Sequence, residues 1–133
     1  MTPEEVVRSF VAAINDHKLE TLASLMTEDH VFVDGLGASV AGRSAMVAGW
    51  GAYLDMVPDY WIRIDRLISG GCAVALFGTA GGTYVASRQA LDSANRWETP
   101  AAWLAEVRGN RVAVWRVFAD NLPIRLLMTG GST

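Results

Sequence analysis

Four long segments of β-type sequence fill the second half of the chain and constrain its fold more than any other feature. They occupy residues 60–68, 73–86, 97–107 and 112–119. Glycine-containing pairs, Gly70-Gly71 and Gly109-Asn110, stand between segments where tight hairpin turns are favoured. We therefore expect the last three segments to form an antiparallel meander, with a polar surface loop at residues 87–95.

The first half of the chain has helical periodicity instead. Thr2 is a suitable N-cap and Pro3 a suitable first residue for a helix that runs to about Asp16. A third helix opens at Gly42 and ends before Pro58. Between them a shorter helix is expected, with an apolar face made of Leu19, Leu22, Leu25 and Met26. Helices that precede a sheet indicate an α+β fold.

Length and charge limit the kinds of protein this can be. The chain has 133 residues, of which 51% are hydrophobic, which fits one domain at residues 1–128 with a flexible tail at 129–133. The net charge of −3 comes without a basic run, which argues against nucleic acids and anionic membrane surfaces as partners. Because no apolar run resembles a membrane span or a signal peptide, we expect a cytoplasmic protein.

Residues that bind metals are sparse. Cys72 is the sole cysteine, so no intramolecular disulfide is expected. His17 and His30 are both expected at the surface, and neither has a second ligand at a useful spacing. The sequence therefore predicts neither a metal nor a cofactor.

A carboxylate stands at the end of the last β segment. Strand side chains alternate between faces, so the face that ends at Asp120 is expected to carry Val112, Val114, Arg116 and Phe118. A carboxylate beside an apolar face is poorly solvated, which is how a protein makes a general acid or base from Asp. The alternative is that Asp120 only ends the strand and caps the turn that follows. Arg116 is either its ion-pair partner or a ligand for an anionic substrate oxygen.

A second strand-end carboxylate lies far from the first in the sequence. Residues 30–37 form a short β-rich run that brings Asp34 to a bend flanked by glycine. Asp is also a common turn residue, so a purely structural role stays open.

The order of these elements resembles the SnoaL-like members of the nuclear transport factor 2 superfamily. The likeness covers nearly the whole chain and rests on two helices, a strand ending in Asp-Gly-Leu-Gly, a third helix, and strands ending in Trp-Arg-Val-Phe-Ala-Asp. It implies a cone-shaped, strongly curved antiparallel sheet wrapped around helices, with a deep apolar cavity. Members of the superfamily include polyketide cyclases, ketosteroid isomerases, epoxide hydrolases, dehydratases and proteins without catalytic activity.

The resemblance also implies roles for single residues. Asp34 is similar in position to the proton-shuttling base of the ketosteroid isomerases, and Asp120 to the strand-end acid/base of SnoaL-type cyclases. Phe10 stands where the isomerases have an oxyanion-hole Tyr, and Ala102 where they have a protonated Asp. Without those donors, steroid isomerase activity is not expected.

Several apolar residues are candidates for the wall of the implied cavity. Trp50 resembles a pocket-facing aromatic residue of the isomerases. The further substrate-binding candidates are Phe10, Tyr53, Ala102, Arg116 and Phe118. Tyr60 and Trp61 could also line the cavity. Aromatic residues at such spacing are core more often than ligand contacts, so that alternative is kept.

Trp103 and Trp115 are expected on the outer face of the sheet, opposite Ala102 and Phe118. Two indoles form too large an apolar surface to leave in water, which predicts a homodimer through this face.

The sequence thus predicts a cofactor-independent proton-transfer enzyme, a cyclase, isomerase or dehydratase, acting on a small apolar carbonyl compound. The alternative is a module of the same fold that binds a hydrophobic ligand, or takes part in assembly, without catalysis.

Overall fold

The computed structural model describes residues 1–85 and 91–129. The helices are α1 (Pro3–Asn15), α2 (Leu19–Ser24), α3 (Arg43–Met56) and α4 (Leu122–Met128), with one 3-10 turn at Ser93–Asn95. The strands are β1 (Met26–Val33), β2 (Ser39–Ala41), β3 (Trp61–Gly70), β4 (Ala73–Thr83), β5 (Arg96–Arg108) and β6 (Arg111–Ala119). The α+β prediction is confirmed.

The strands form one curved sheet in the order β2-β1-β6-β5-β4-β3. Strands β3 to β6 are successive antiparallel neighbours, so the predicted meander is confirmed. Strand β1 pairs with β6 in parallel, which the antiparallel prediction did not include. This pairing brings the end of β1 beside the end of β6.

Helix α1 begins as the sequence predicts. Thr2 and Glu5 form a capping box in which the Thr2 N–H donates to Glu5 Oε1 at 2.9 Å and the Glu5 N–H donates to the Thr2 hydroxyl at 3.1 Å. The apolar face of the helix is buried under the sheet and consists of Val6, Val7, Phe10, Ala13 and Ile14. Burial of this face anchors the helix against the concave side of the sheet.

Three local predictions need correction. Residues 25 and 26 do not continue the second helix, because β1 already begins at Met26. His30 is fully buried rather than exposed, since it lies on the face of β1 that α1 covers. The segment after Asp120 forms helix α4, where only a turn was expected. Of the predicted surface loop and tail, residues 87–90 and 130–133 lie outside the described residues, as does residue 86 at the end of a predicted strand.

A β-bulge in β6 determines which side chains face the core. Glu106 pairs with Val114 but Val107 pairs with Val112, so Ala113 is an extra residue in β6. Val112 and Trp115 are consequently both buried, although they are three residues apart. From Trp115 onward, the side chains that face the core are therefore those that simple alternation from Val112 would place on the outer face.

Candidate functional site

A cavity of about 510 Å³ lies between α3, α4 and the concave side of the sheet. This volume is typical of small-molecule sites. Most of the wall is apolar, and its aromatic members are Phe32, Trp50, Tyr53, Tyr60, Trp97, Trp103 and Trp115. Exposed wall residues, Leu36, Val40 and Met128, mark the open end of the cavity.

Strand alternation explains how the sheet supplies the wall. In β5, Trp97, Thr99 and Trp103 lie two or four residues apart and face the cavity. In β6, the bulge turns Trp115, Val117 and Ala119 to the same side. The indole rings of Trp103 and Trp115 stack with centroids 6.3 Å apart. The prediction that these two indoles face outward is therefore wrong. The bulge at Ala113 reverses the face of Trp115, and Trp103 lies on the face of β5 that is buried with Ala101, Ala105 and Val107.

The same reversal moves two predicted site residues outside. Arg116 and Phe118 lie on the outer face of the sheet, with the guanidinium carbon 4.8 Å from the ring centroid, and Phe118 is 48% exposed. Ala102 pairs directly with Phe118 on this outer face. The prediction that these three residues line the cavity is wrong.

Phe10 also lies away from the wall. It is fully buried in the core and packs on Trp115, with ring centroids 4.9 Å apart. It supports the cavity wall from behind. The prediction that Phe10 lines the cavity is therefore wrong.

Asp120 directly follows β6 and caps the segment that comes after it, which is the structural role given above as its alternative. Its side chain is exposed and its Oδ1 accepts a hydrogen bond from the backbone N–H of Leu122 at 3.0 Å, at the start of α4. Its backbone carbonyl accepts a hydrogen bond from the Thr99 hydroxyl at 2.9 Å. Asp120 is not among the described residues that line the cavity, because the bulge places it on the outward side of the chain.

Asp34 does line the cavity, near its open end. The residues that follow it turn back to start β2, and its Oδ1 accepts hydrogen bonds from the backbone N–H groups of Leu36 at 2.8 Å and Ala38 at 3.0 Å. Among the described residues, none donates a hydrogen bond to Oδ2 of this carboxylate. Asp34 is the sole Asp or Glu among the described residues of the wall.

Tyr60 is the centre of an aromatic cluster in the wall. Its ring centroid lies 5.1 Å from that of Tyr53, 6.1 Å from that of Trp50 and 6.2 Å from that of Trp97. Burial raises the pKa of both tyrosines well above its usual value, so both hydroxyls stay protonated at neutral pH. Trp50 and Tyr53 were predicted in the wall, and Tyr60 was considered for it. Trp97 was missed because it shares a face of β5 with Trp103, and that face was expected outside.

The described part of the chain contains neither a cluster of metal ligands nor a membrane-spanning helix. Within residues 1–85 and 91–129, no group of three or more His, Cys, Asp or Glu side chains is arranged to hold a metal ion. No helix in this part of the chain has the length and apolar character needed to cross a membrane.

Comparison with known proteins identifies relatives by family and by fold. The SnoaL-like domain family matches residues 7–120. No curated protein sequence matches significantly. Among solved structures, a candidate SnoaL-like polyketide cyclase from Shewanella denitrificans superposes with a TM-score of 0.81 at 14% identity, covering 96% of this chain and 97% of that one.

Two other structures are similar over most of their length. IdmH from Streptomyces antibioticus, a candidate polyketide cyclase, has a TM-score of 0.77 at 20% identity and covers 97% of this chain and 99% of its own. A protein of ketosteroid isomerase-like fold from Catenulispora acidiphila, solved with trimethylamine, has a TM-score of 0.72 at 22% identity. The match covers 88% of this chain and 85% of that one. At these low sequence identities, each of the three structures shows only that it shares its fold with this chain.

Proposed function

This chain belongs to the SnoaL-like domain family, and from that premise we propose that its cavity binds a small apolar carbonyl compound on which Asp34 transfers a proton without a cofactor. The observation that carries this proposal is the geometry of Asp34. Two backbone N–H groups hold Oδ1, while Oδ2 has no donor among the described residues. A carboxylate fixed in this way at an apolar wall is oriented to act as a base.

The chemistry follows from the groups in the wall. Asp34 Oδ2 takes a proton from the carbon next to the ligand's carbonyl, leaving an enolate, and can return it to carbon or deliver it to oxygen. Isomerisation, dehydration and intramolecular aldol closure all begin with this step. The apolar surroundings exclude water from the enolate. The candidate cyclases with the same fold support this class of reaction.

Hydrogen exchange in deuterated water tests the proposal without the natural substrate. 2-Tetralone is a small apolar ketone whose α-hydrogens are replaced by deuterium when an enolate forms, and proton NMR follows their loss. We expect the protein to accelerate this exchange above the buffer rate, and Asp34→Asn to abolish the acceleration. Asp55→Asn is the matched control, because Asp55 is exposed on α3 and is not among the residues of the wall.

A binding module without catalysis is the second candidate. The observation that favours it is that Asp34 already has a structural role in the turn between β1 and β2. Tight binding of several apolar ketones, with no exchange above buffer in any of them, would support the module and contradict the enzyme.

A further inference from the structure

Helix α4 places its one arginine at the cavity and leaves two of its leucines in solvent. The residues of this segment that line the cavity are Asn121, Ile124, Arg125 and Met128. Their spacing of three and four residues puts them on one side of the helix. Leu122 and Leu126, which are not in the wall, are 50% and 46% exposed. Burial of apolar surface alone favours the opposite orientation, so the polar groups on the cavity side indicate a role in the cavity.

The two polar side chains of this face have no part in holding α4 in place. Asp120 accepts the hydrogen bond from the Leu122 N–H at the start of the helix, and the Asn121 side chain forms no capping hydrogen bond. Among the described residues, no carboxylate forms an ion pair with Arg125, and this includes Asp34. The guanidinium N–H groups and the Asn121 amide N–H groups are thus available as donors at the open end of the cavity.

The charges of the wall are restricted to this end. Asp34 and Arg125 are the one acidic and the one basic side chain among the described wall residues. The remainder of the wall is mostly apolar, so a ligand charge placed near Arg125 is screened less than it would be on open surface. Arg125 is itself exposed, which lets its guanidinium meet a ligand group at the mouth of the cavity while an apolar body fills the interior.

From this arrangement we infer that Arg125 and Asn121 form an anion subsite at the mouth of the cavity, so that the ligand is an apolar molecule that carries a carboxylate. A guanidinium donates two parallel hydrogen bonds to a carboxylate, and the Asn121 amide adds a donor for the same group. A phosphate fits less well, because its second negative charge has no second cation in the described wall and Asp34 repels it.

The inference rests on the proposed function only in requiring that the cavity binds the ligand. It adds a charged group that a ketone acted on by Asp34 need not have. Its test therefore uses probes without α-hydrogens next to a ketone, so that binding is measured apart from proton transfer.

Two matched probes test the anion subsite. 2-Naphthoate and 2-naphthamide have the same ring system and nearly the same shape, and they differ in the negative charge at neutral pH. Isothermal titration calorimetry gives the Kd of each. We expect 2-naphthoate to bind at least about tenfold more tightly, the size of effect that a charge-assisted hydrogen bond produces. Raising the NaCl concentration from about 0.05 M to about 0.5 M should reduce this preference.

Variants of the two residues locate the contact. Arg125→Gln should raise the Kd for 2-naphthoate by about tenfold and leave that for 2-naphthamide unchanged, and Arg125→Lys should have a smaller effect because it keeps the charge. Asn121→Ala should raise the Kd for 2-naphthoate by about two- to fivefold. Arg116→Gln is the matched control, since it removes the same charge from the outer face of the sheet. Thermal unfolding of each variant shows that the fold is kept.

Several results would overturn the inference. These are equal Kd values for the two probes, binding of neither probe, a preference for 2-naphthoate that survives in Arg125→Gln or is lost equally in Arg116→Gln, or tighter binding of 2-naphthyl phosphate than of 2-naphthoate. Asp34→Asn should keep or increase the preference for 2-naphthoate, because it removes a negative charge from the wall, while it loses hydrogen exchange on 2-tetralone. Failure of the anion subsite is thereby distinguishable from failure of the proposed base.

Discussion

Gly35 lies against the end of β6, where a Cβ on this residue would stand 2.9 Å from the backbone carbonyl oxygen of Ala119. Backbone atoms cannot give way as a flexible side chain can. The turn that carries Asp34 is thus fixed against the end of β6, a strand that supplies Trp115, Val117 and Ala119 to the cavity wall.

Gly35→Ala should displace this turn and with it the Asp34 carboxylate. We expect hydrogen exchange on 2-tetralone to fall by about tenfold to a hundredfold, since a misplacement of about 1 Å has effects of this size. Gly70→Ala is the control, because a Cβ there meets no atom within 4 Å. Exchange in Gly35→Ala equal to that of the unchanged protein would show that the turn does not position the base.

The outer face of the sheet is the remaining candidate for a homodimer contact. Phe77, Ala102 and Phe118 are direct neighbours across β4, β5 and β6, and the two phenylalanines are 43% and 48% exposed. We expect the chain to pair through this apolar row. Sedimentation should show dimers for the unchanged protein and monomers for Phe118→Glu, with Ala48→Glu on the exposed side of α3 as the control. Dimers that persist in Phe118→Glu would locate the contact elsewhere.

His30 should make stability depend on pH. It is fully buried, with Nδ1 2.7 Å from the Val112 carbonyl oxygen and no partner for Nε2 among the described residues. Burial is the main cause that lowers the pKa of this imidazole below 6.5, and the Val112 contact and Asp29 oppose it in part. Below pH 6.5 the unfolded chain therefore binds a proton that the folded chain does not.

The free energy of unfolding should fall as the pH drops through 6.5, with a limiting slope of about 1.4 kcal/mol per pH unit, until the pH reaches the folded-state pKa. Urea unfolding at pH 7.5, 6.5 and 5.5 measures this. His30→Gln should show a smaller slope than the unchanged protein, whereas His17→Gln should keep it. Equal slopes for the unchanged protein and His30→Gln would mean that the buried imidazole is not responsible.

Residue patterns predicted the fold because they repeat over many residues. The alternation in β5 and the capping signals at Thr2 and Pro3 are local, and the structure follows them, although the buried face of β5 is the opposite of the expected one. The bend at Asp34 was predicted for the same reason, since a β run followed by glycine favours a bend.

The faces of β6 were not predictable in this way. One extra residue, Ala113, reverses the alternation, and a bulge is set by pairing with β5 rather than by its own sequence. Arg116, Phe118 and Asp120 were consequently expected inside, and Trp115 outside. His30 was likewise expected at the surface because its acidic neighbours are exposed, while its own side chain faces α1.

In the proposed reaction Asp34, and not Asp120, is the base. The initial rate of α-hydrogen exchange on 2-tetralone, measured for the two single variants at the same saturating ketone concentration, distinguishes the two carboxylates. We predict that Asp34→Asn lowers the protein-dependent rate by about 10² to 10⁴ and that Asp120→Asn changes it by less than about threefold. Full activity in Asp34→Asn, or its loss only in Asp120→Asn, would show that Asp34 is not the base.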